Sequence, residues 1–295
     1  MGYLYMEWKR LTTVKDFWLM SQSFLYRFES RYVKHVSFFE IPKNQERDDI
    51  FLWSLLDNNT CCAFAVLTQA GHLYCSEIPD PANRKDILDL DILDDLISLV
   101  LSCERDVFEI EMPNSLISYV TEQFFPHFES DMNKYVFECS SVLLPPAENG
   151  TLVQATNSEE HQNIVISMLK GFLMDCFPNI ADPNQHIEKA RKRIDSGDIY
   201  LWKNGEGDLV SMAARVRKTS STSSISWVYT ANVYRGRGYG SKVTAYLTQL
   251  LLEQGSTFCN LYTDASNPTS NSIYQKIGYC IIGEETSCIK KSSIV

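Results

Sequence analysis

Six consecutive residues, Arg235-Gly236-Arg237-Gly238-Tyr239-Gly240, have the types and spacing of a pyrophosphate cradle. A phosphate held by main-chain amides needs a turn whose N–H groups converge where a helix begins. There the first N–H groups lack partners within the helix, and the helix dipole favours an anion. Gly236, Gly238 and Gly240 can take positive φ and put no Cβ between backbone and ligand. Arg235 and Arg237 add cationic donors suited to phosphate oxygens. Taken alone, the string equally suits a flexible turn with solvated arginines. Two other nucleotide chemistries fit poorly. No acidic-ended strand follows about 20 residues on in a parallel βαβ setting, and Gly-x-x-x-x-Gly-Lys-Ser/Thr is absent.

Such a cradle works only between a strand and a helix, and both are legible. Ser226-Trp227-Val228-Tyr229-Thr230 is β-rich, and Val243, Tyr246, Leu247, Leu250 and Leu251 recur at helical spacing before Gly255 ends the helix. Around this core the C-terminal half reads as helices at 158–176 and 182–193 and strands at 199–202, 209–216 and 225–230. After the cradle helix at 240–254 come a strand at 258–263, a helix at 268–277 and a last strand at 279–283. The N-terminal half has a similar rhythm: a long helix at 14–34, strands at 50–56, 61–68 and 72–77, and a helix at 89–101. A strand at 108–112, a helix at 115–124 and a strand at 135–142 follow. The shared order suggests an internal duplication. Where the second half has its glycines, the first has Pro79-Asp80-Pro81-Ala82-Asn83-Arg84, with few free N–H groups and one repelling charge. Leu144-Pro145-Pro146-Ala147-Glu148-Asn149-Gly150 breaks both helix and strand, so the expected domains are 1–145 and 150–295.

Composition sets bounds on function. The chain has 295 residues, 44% hydrophobic and 22% charged, with a formal net charge of -10. A surplus of carboxylates argues against binding to a nucleic-acid backbone, which needs a concentrated basic surface. The nine cysteines are scattered without CxxC or Cys/His metal spacing and read as small buried hydrophobes in a reducing compartment; no metal site is expected. No apolar run reaches the roughly 18–20 residues needed to span a bilayer. Glu7, Lys9 and Arg10 interrupt any signal core, and Met6 stands where a myristoylation start wants Ser or Thr. The expectation is a soluble cytoplasmic protein with no membrane and no nucleic-acid partner.

Arg235-x-x-Gly238-x-Gly240 resembles the Gln/Arg-x-x-Gly-x-Gly/Ala loop of the GNAT superfamily of acyl-CoA-dependent N-acyltransferases. Residues 261–279 are similar to that family's second signature, in which Asn267 precedes a helix carrying Tyr274, followed by Gly278-Tyr279. The resemblance covers about residues 151–285. It implies an α/β (α+β) fold of two tandem GNAT-like domains, each a mixed, mainly antiparallel sheet flanked by helices, the first degenerate and without a phosphate loop.

The resemblance also implies roles. Main-chain groups of Val228, Tyr229 and Thr230 would pair with the pantetheine arm where two strands splay apart. The loop from Arg235 through Gly236, Arg237, Gly238, Tyr239 and Gly240 to Ser241 would bind the pyrophosphate. Asn267, and more remotely Asn271 and Lys276, would contact coenzyme A. Tyr274 would protonate the leaving sulfur as acetyl-CoA gives its acetyl group directly to a neutral primary amine. Strand amides near Val228 would stabilise the oxyanion. From the residues alone, Tyr274 also suits a core aromatic and Asn267 a helix cap.

The family's carboxylate base has no counterpart in Ser224-Ile225-Ser226-Trp227-Val228-Tyr229; Asp264, Glu284 and Glu285 are substitutes, and Asp264 equally suits a turn cap. Trp227, Tyr229 and Tyr262 are candidates to line the acceptor side. The acceptor is expected to be a small-molecule or protein amine. A non-catalytic coenzyme A-binding regulatory protein is the alternative, and a third reading gives the first domain the recruitment of a protein substrate. Tandem domains favour a monomer.

Overall fold

One order of elements, β-α-α-β-β-β-α-β-α-β, runs twice through the chain, the first pass adding a single helical turn after its second helix. The computed structural model describes residues 6–79, 90–177 and 182–291. The first pass has β1 (Met6–Leu11), α1 (Val14–Arg27), α2 (Val33–Phe39), the single turn α3 (Pro42–Gln45), β2 (Phe51–Asp57), β3 (Thr60–Leu67) and β4 (His72–Cys75). It ends with α4 (Leu90–Leu101), β5 (Glu109–Pro113), α5 (Asn114–Gln123) and β6 (Phe128–Cys139). The second has β7 (Thr151–Gln154), α6 (Glu159–Cys176), α7 (Pro183–Asp195), β8 (Ile199–Lys203), β9 (Leu209–Lys218) and β10 (Thr222–Thr230). It ends with α8 (Tyr239–Glu253), β11 (Phe258–Asp264), α9 (Pro268–Lys276) and β12 (Cys280–Lys290).

Packing divides the chain into two units. One is Met1–Val136, Asp264–Ser266 and Gly283–Val295; the other is Phe137–Thr263 and Asn267–Ile282. In the N-terminal unit the strand order is β1-β2-β3-β4-β5, then β12 and β6. In the C-terminal unit it is β7-β8-β9-β10-β11, then the end of β6. Each pass therefore completes its sheet with a strand from the other, and packing does not divide the chain at the Pro145-Pro146 break. β4–β5 and β10–β11 are parallel, whereas β1–β2, β2–β3, β3–β4, β5–β12, β7–β8, β8–β9 and β9–β10 are antiparallel.

Strand alternation builds two cores on the N-terminal sheet. Trp53, Leu55, Ala63, Ala65 and Leu73 face α4 and α5, while Leu52, Phe64, Val66 and Tyr74 face α1 and α2. In the C-terminal unit Ile199, Leu201, Met212, Ala214 and Trp227 pack with Val165, Leu169 and Leu173 of α6 and Ala190 and Ile194 of α7. α8 buries Val243, Leu247 and Leu251, four residues apart, and packs on β8, β9 and β10.

Several elements differ from the sequence expectations. The helix expected at 14–34 stops at Arg27 and restarts at Val33; the break lets the Tyr32 ring stack on Phe24, centroids 5.7 Å apart. β1 and β7 were hidden by polar residues on half-exposed strands. The last strand, expected to end at residue 283, runs to Lys290, because Glu285, Thr286 and Ser287 are buried with hydrogen-bond partners. In the glycine-free loop, Asp80 to Arg84 lie outside the described residues. Among the described residues no helix is long and apolar enough to cross a membrane. Of the cysteines, Cys61, Cys75, Cys139, Cys259 and Cys288 are buried as expected, whereas Cys176 and Cys280 are exposed.

Candidate functional site

β10, beside the cradle, is irregular, and the irregularity opens it. Its parallel register with β11 runs only from Thr222↔Phe258 to Ser224↔Asn260. On the β9 side the register slips between Ser226↔Ala214 and Tyr229↔Met212, so Trp227 and Val228 together face one residue. Trp227 sits at φ 54°, a conformation rare for a bulky residue and held only by firm packing; its ring is buried against α6 and α7.

Past this bulge the direction of the main chain can be derived. Ala231 N–H donates to Val210 O at 3.1 Å. Antiparallel ladders alternate, so the N–H and C=O of Thr230 point to the other edge, away from β9. Arg235 agrees, since its Nε donates to Thr230 O at 3.1 Å. The N–H of Thr230 thus faces the side where β10 and β11 part.

The chain leaves β10 through a short 3-10 turn, Asn232–Tyr234, and enters the glycine turn. Gly236 and Gly238 are left-handed at φ 77° and 76°, and a Cβ on either would meet nothing within 4 Å. Both therefore border open space. Gly238 is the N-cap of α8 and offers no side chain to the helix, so the N–H groups of Tyr239, Gly240 and Ser241 have no side-chain cap. Lys242 N–H is the first to close back, onto Gly238 O at 3.1 Å. Gly240 departs from expectation: it is helical, and a Cβ there would meet Thr230 Oγ1 at an ordinary 3.6 Å.

The two arginines differ. Arg235 Nη2 pairs with Asp175 Oδ2 at 2.5 Å, and its guanidinium lies 5.0 Å from the Tyr229 ring centroid. The Asp175 hydrogen bond raises its pKa. Arg235 therefore fastens the end of β10 to α6 rather than reaching outward. Arg237 is exposed, 5.8 Å from the Tyr234 ring. α6 lies close on this strand: a Cβ on Gly171 would stand 2.2 Å from Tyr229 Oη, so a side chain there would displace the tyrosine ring. Two further ties were not foreseen: Lys242, 5% exposed, pairs with Glu148, and Tyr246 OH donates to Pro145 O at 3.2 Å. They clamp the 144–150 stretch onto α8.

Across the gap, α9 carries the remaining candidates. Asn267 caps it, accepting from Ser270 N–H at 3.0 Å. Asn271 is 9% exposed, and its Oδ1 accepts from Thr263 Oγ1 at 2.6 Å, tying α9 to β11. Tyr274 is 7% exposed, with Phe137 and Tyr279 edge-on at 6.0 and 6.1 Å. Burial, reinforced by the Cys176 thiol, pushes its hydroxyl pKa well up, so it stays protonated. Lys276 ends the helix, and Tyr262 is half-buried on β11.

Of the base candidates, Asp264 Oδ1 accepts from Ser266 N–H at 2.8 Å and Ser266 Oγ at 2.7 Å, so it caps its turn. Glu284 and Glu285 belong to the N-terminal unit, bonded to Asn114 and Tyr74. Among the described residues no His, Cys, Asp and Glu cluster could hold a metal ion.

Residues 205–288 match the FR47-like protein family model. No curated protein matches the sequence. A GNAT-family acetyltransferase from Colwellia psychrerythraea superposes with a TM-score of 0.55 at 14% identity, over 97% of this chain and 100% of that one. A GCN5-related N-acetyltransferase from Sphaerobacter thermophilus gives 0.54 at 13% identity, over 82% of each chain. A Drosophila protein gives 0.58 at 11% identity, over 96% of this chain and 98% of that one.

Proposed function

We propose that this chain, whose fold is that of the GNAT superfamily, is an acetyl-CoA-dependent N-acetyltransferase that acylates a primary amine in its C-terminal unit. The observation that carries the reading is the open edge of β10 leading into the glycine turn. Gly236 and Gly238 border empty space at the uncapped start of α8. A pyrophosphate fits there, because side-chain-free amides and a helix N-terminus both favour an anion.

The thioester of acetyl-CoA supplies the activated acyl group. The chain's own residues then have separable tasks. The amides of Tyr239, Gly240 and Ser241 bind the pyrophosphate. The edge of Val228, Tyr229 and Thr230 aligns the pantetheine arm, and Val228 N–H donates to the carbonyl oxygen as it gains charge. As the amine lone pair forms the new C–N bond and the C–S bond breaks, Tyr274 gives its proton to the departing sulfur. Asn267 and Asn271 hold α9, and hence Tyr274, in place. With Asp264 committed to its turn, the amine proton leaves to water.

That missing carboxylate also favours a second reading, a coenzyme A-binding regulatory protein without turnover. Thiol release from acetyl-CoA across a panel of primary amines separates the two. The proposal expects turnover with at least one amine, lost in Tyr274→Phe. Binding of coenzyme A with no turnover on any amine favours the regulatory reading.

A further inference from the structure

In the N-terminal unit a buried carboxylate, Glu285, lies beside a partly buried one, Glu111, and both nearby lysines pair with Glu111. Glu285 on β12 is 1% exposed. Its Oε1 accepts from Tyr74 OH on β4 at 3.1 Å, while its Oε2 is buried with no hydrogen-bond donor among the described residues. β5 and β12 pair Pro113 with Glu285 and Glu111 with Ser287, which makes Glu111 the diagonal neighbour of Glu285 on one sheet face. Glu111 takes both nearby cations: Lys34 of α2 pairs with its Oε1, and Lys134 of β6 with its Oε2 at 3.1 Å. Other ionisable groups packed around Glu285 are Arg31, Tyr32 at the start of α2 and His35 of α2, whose ring centroid lies 4.0 Å from that of Tyr74. Arg31 lies against Gly283 and pairs with Glu77 at 2.7 Å.

Burial opposes charge on Glu111, but Lys34 and Lys134 outweigh it and hold that carboxyl far below the usual range. For Glu285 burial dominates; Lys34 pulls the other way and the Glu111 charge reinforces it, raising the carboxyl to about 7. A neutral Glu285 can donate its Oε2 hydrogen to Glu111, which gives the unsatisfied oxygen its partner.

We infer that Glu285 and Glu111 share one proton, and that this proton fastens Gly283–Lys290 against β5. When the strand opens, Glu285 meets water and returns towards its ordinary value of 4.5. The closed strand therefore binds more protons, and opening becomes easier as pH rises from 4.5 to about 7, then levels off. Glu111, held low, stays ionised throughout that window. The strand is held tightest in mild acid.

Hydrogen exchange of the full chain, corrected for the intrinsic pH dependence, reads this directly at the amides of residues 285–289. In the wild type the opening constant should rise up to about tenfold per pH unit through the window and then flatten. Glu285→Gln, whose amide can donate to Glu111 and accept from Tyr74, should show a flat profile. A flat wild-type profile, or a slope retained in Glu285→Gln, overturns the inference. A second measurement needs no variant: the infrared band of a protonated carboxyl should be present in mild acid and vanish through pH 7, and its absence in mild acid refutes the shared proton.

Discussion

Gly238→Ala isolates the cradle, because a side chain added at this position borders open space. A methyl there meets no atom within 4 Å, so the folded state suffers only the left-handed backbone at φ 76°. For an L-residue that costs about 1–2 kcal/mol, a fall in Tm of roughly 2–4 °C per kcal/mol for a chain of this size. The ligand suffers more. The methyl enters the space a phosphate oxygen would occupy and removes one charge-assisted hydrogen bond, worth about 1.5–3 kcal/mol. The dissociation constant for coenzyme A should rise by roughly 10–100-fold. Gly255→Ala is the matched control: φ is 101° and nothing lies within 4 Å, but the position follows the other end of α8. Titration calorimetry should show weakened binding in the first variant alone, with similar melting shifts in both. Unchanged affinity in Gly238→Ala, or equal losses in the two, would refute the reasoning.

Tyr274→Phe should lower kcat by roughly 10²–10⁴-fold with little change in coenzyme A affinity, as for loss of a general acid; an unchanged kcat removes Tyr274 from the proton transfer. Because burial keeps that hydroxyl protonated, kcat should show no alkaline decline near pH of about 10, where an ordinary tyrosine ionises; a decline there that disappears in the Phe variant contradicts the buried assignment. Cutting the chain at the Pro145-Pro146 break should leave residues 146–295 insoluble or unfolded by circular dichroism. The cut removes Phe137, fully buried beside Tyr274, and the Leu143 N–H bond to Ile277 O at 2.9 Å. A soluble fragment that binds coenzyme A would show that β6 is dispensable.

The cradle was readable because its causes are local. Glycines at alternate positions, a preceding β-branched and aromatic run and a following four-residue apolar period each leave a mark in a short window. The Asn267 cap was equally local. What escaped depends on distant partners. Nothing in Ser226-Trp227-Val228 signals a left-handed tryptophan; the bulge exists because α6, with Gly171 flat on Tyr229, and α7 hold the ring. The polar run after Gly283 reads as a tail until Tyr74, Asn114, Asn133 and Glu111 supply its partners from residues more than 150 positions away. Asp264 had two local readings, and only the geometry of Ser266 chose the turn.

The central claim is that one acyl-CoA site exists, in the glycine turn at the open edge of β10. Titrating coenzyme A into the full chain by calorimetry tests it most directly. The account predicts one site per chain, lost or strongly weakened when Gly236 and Gly238 are both replaced by bulky residues. No binding, two sites per chain, or one site indifferent to that double replacement would contradict it.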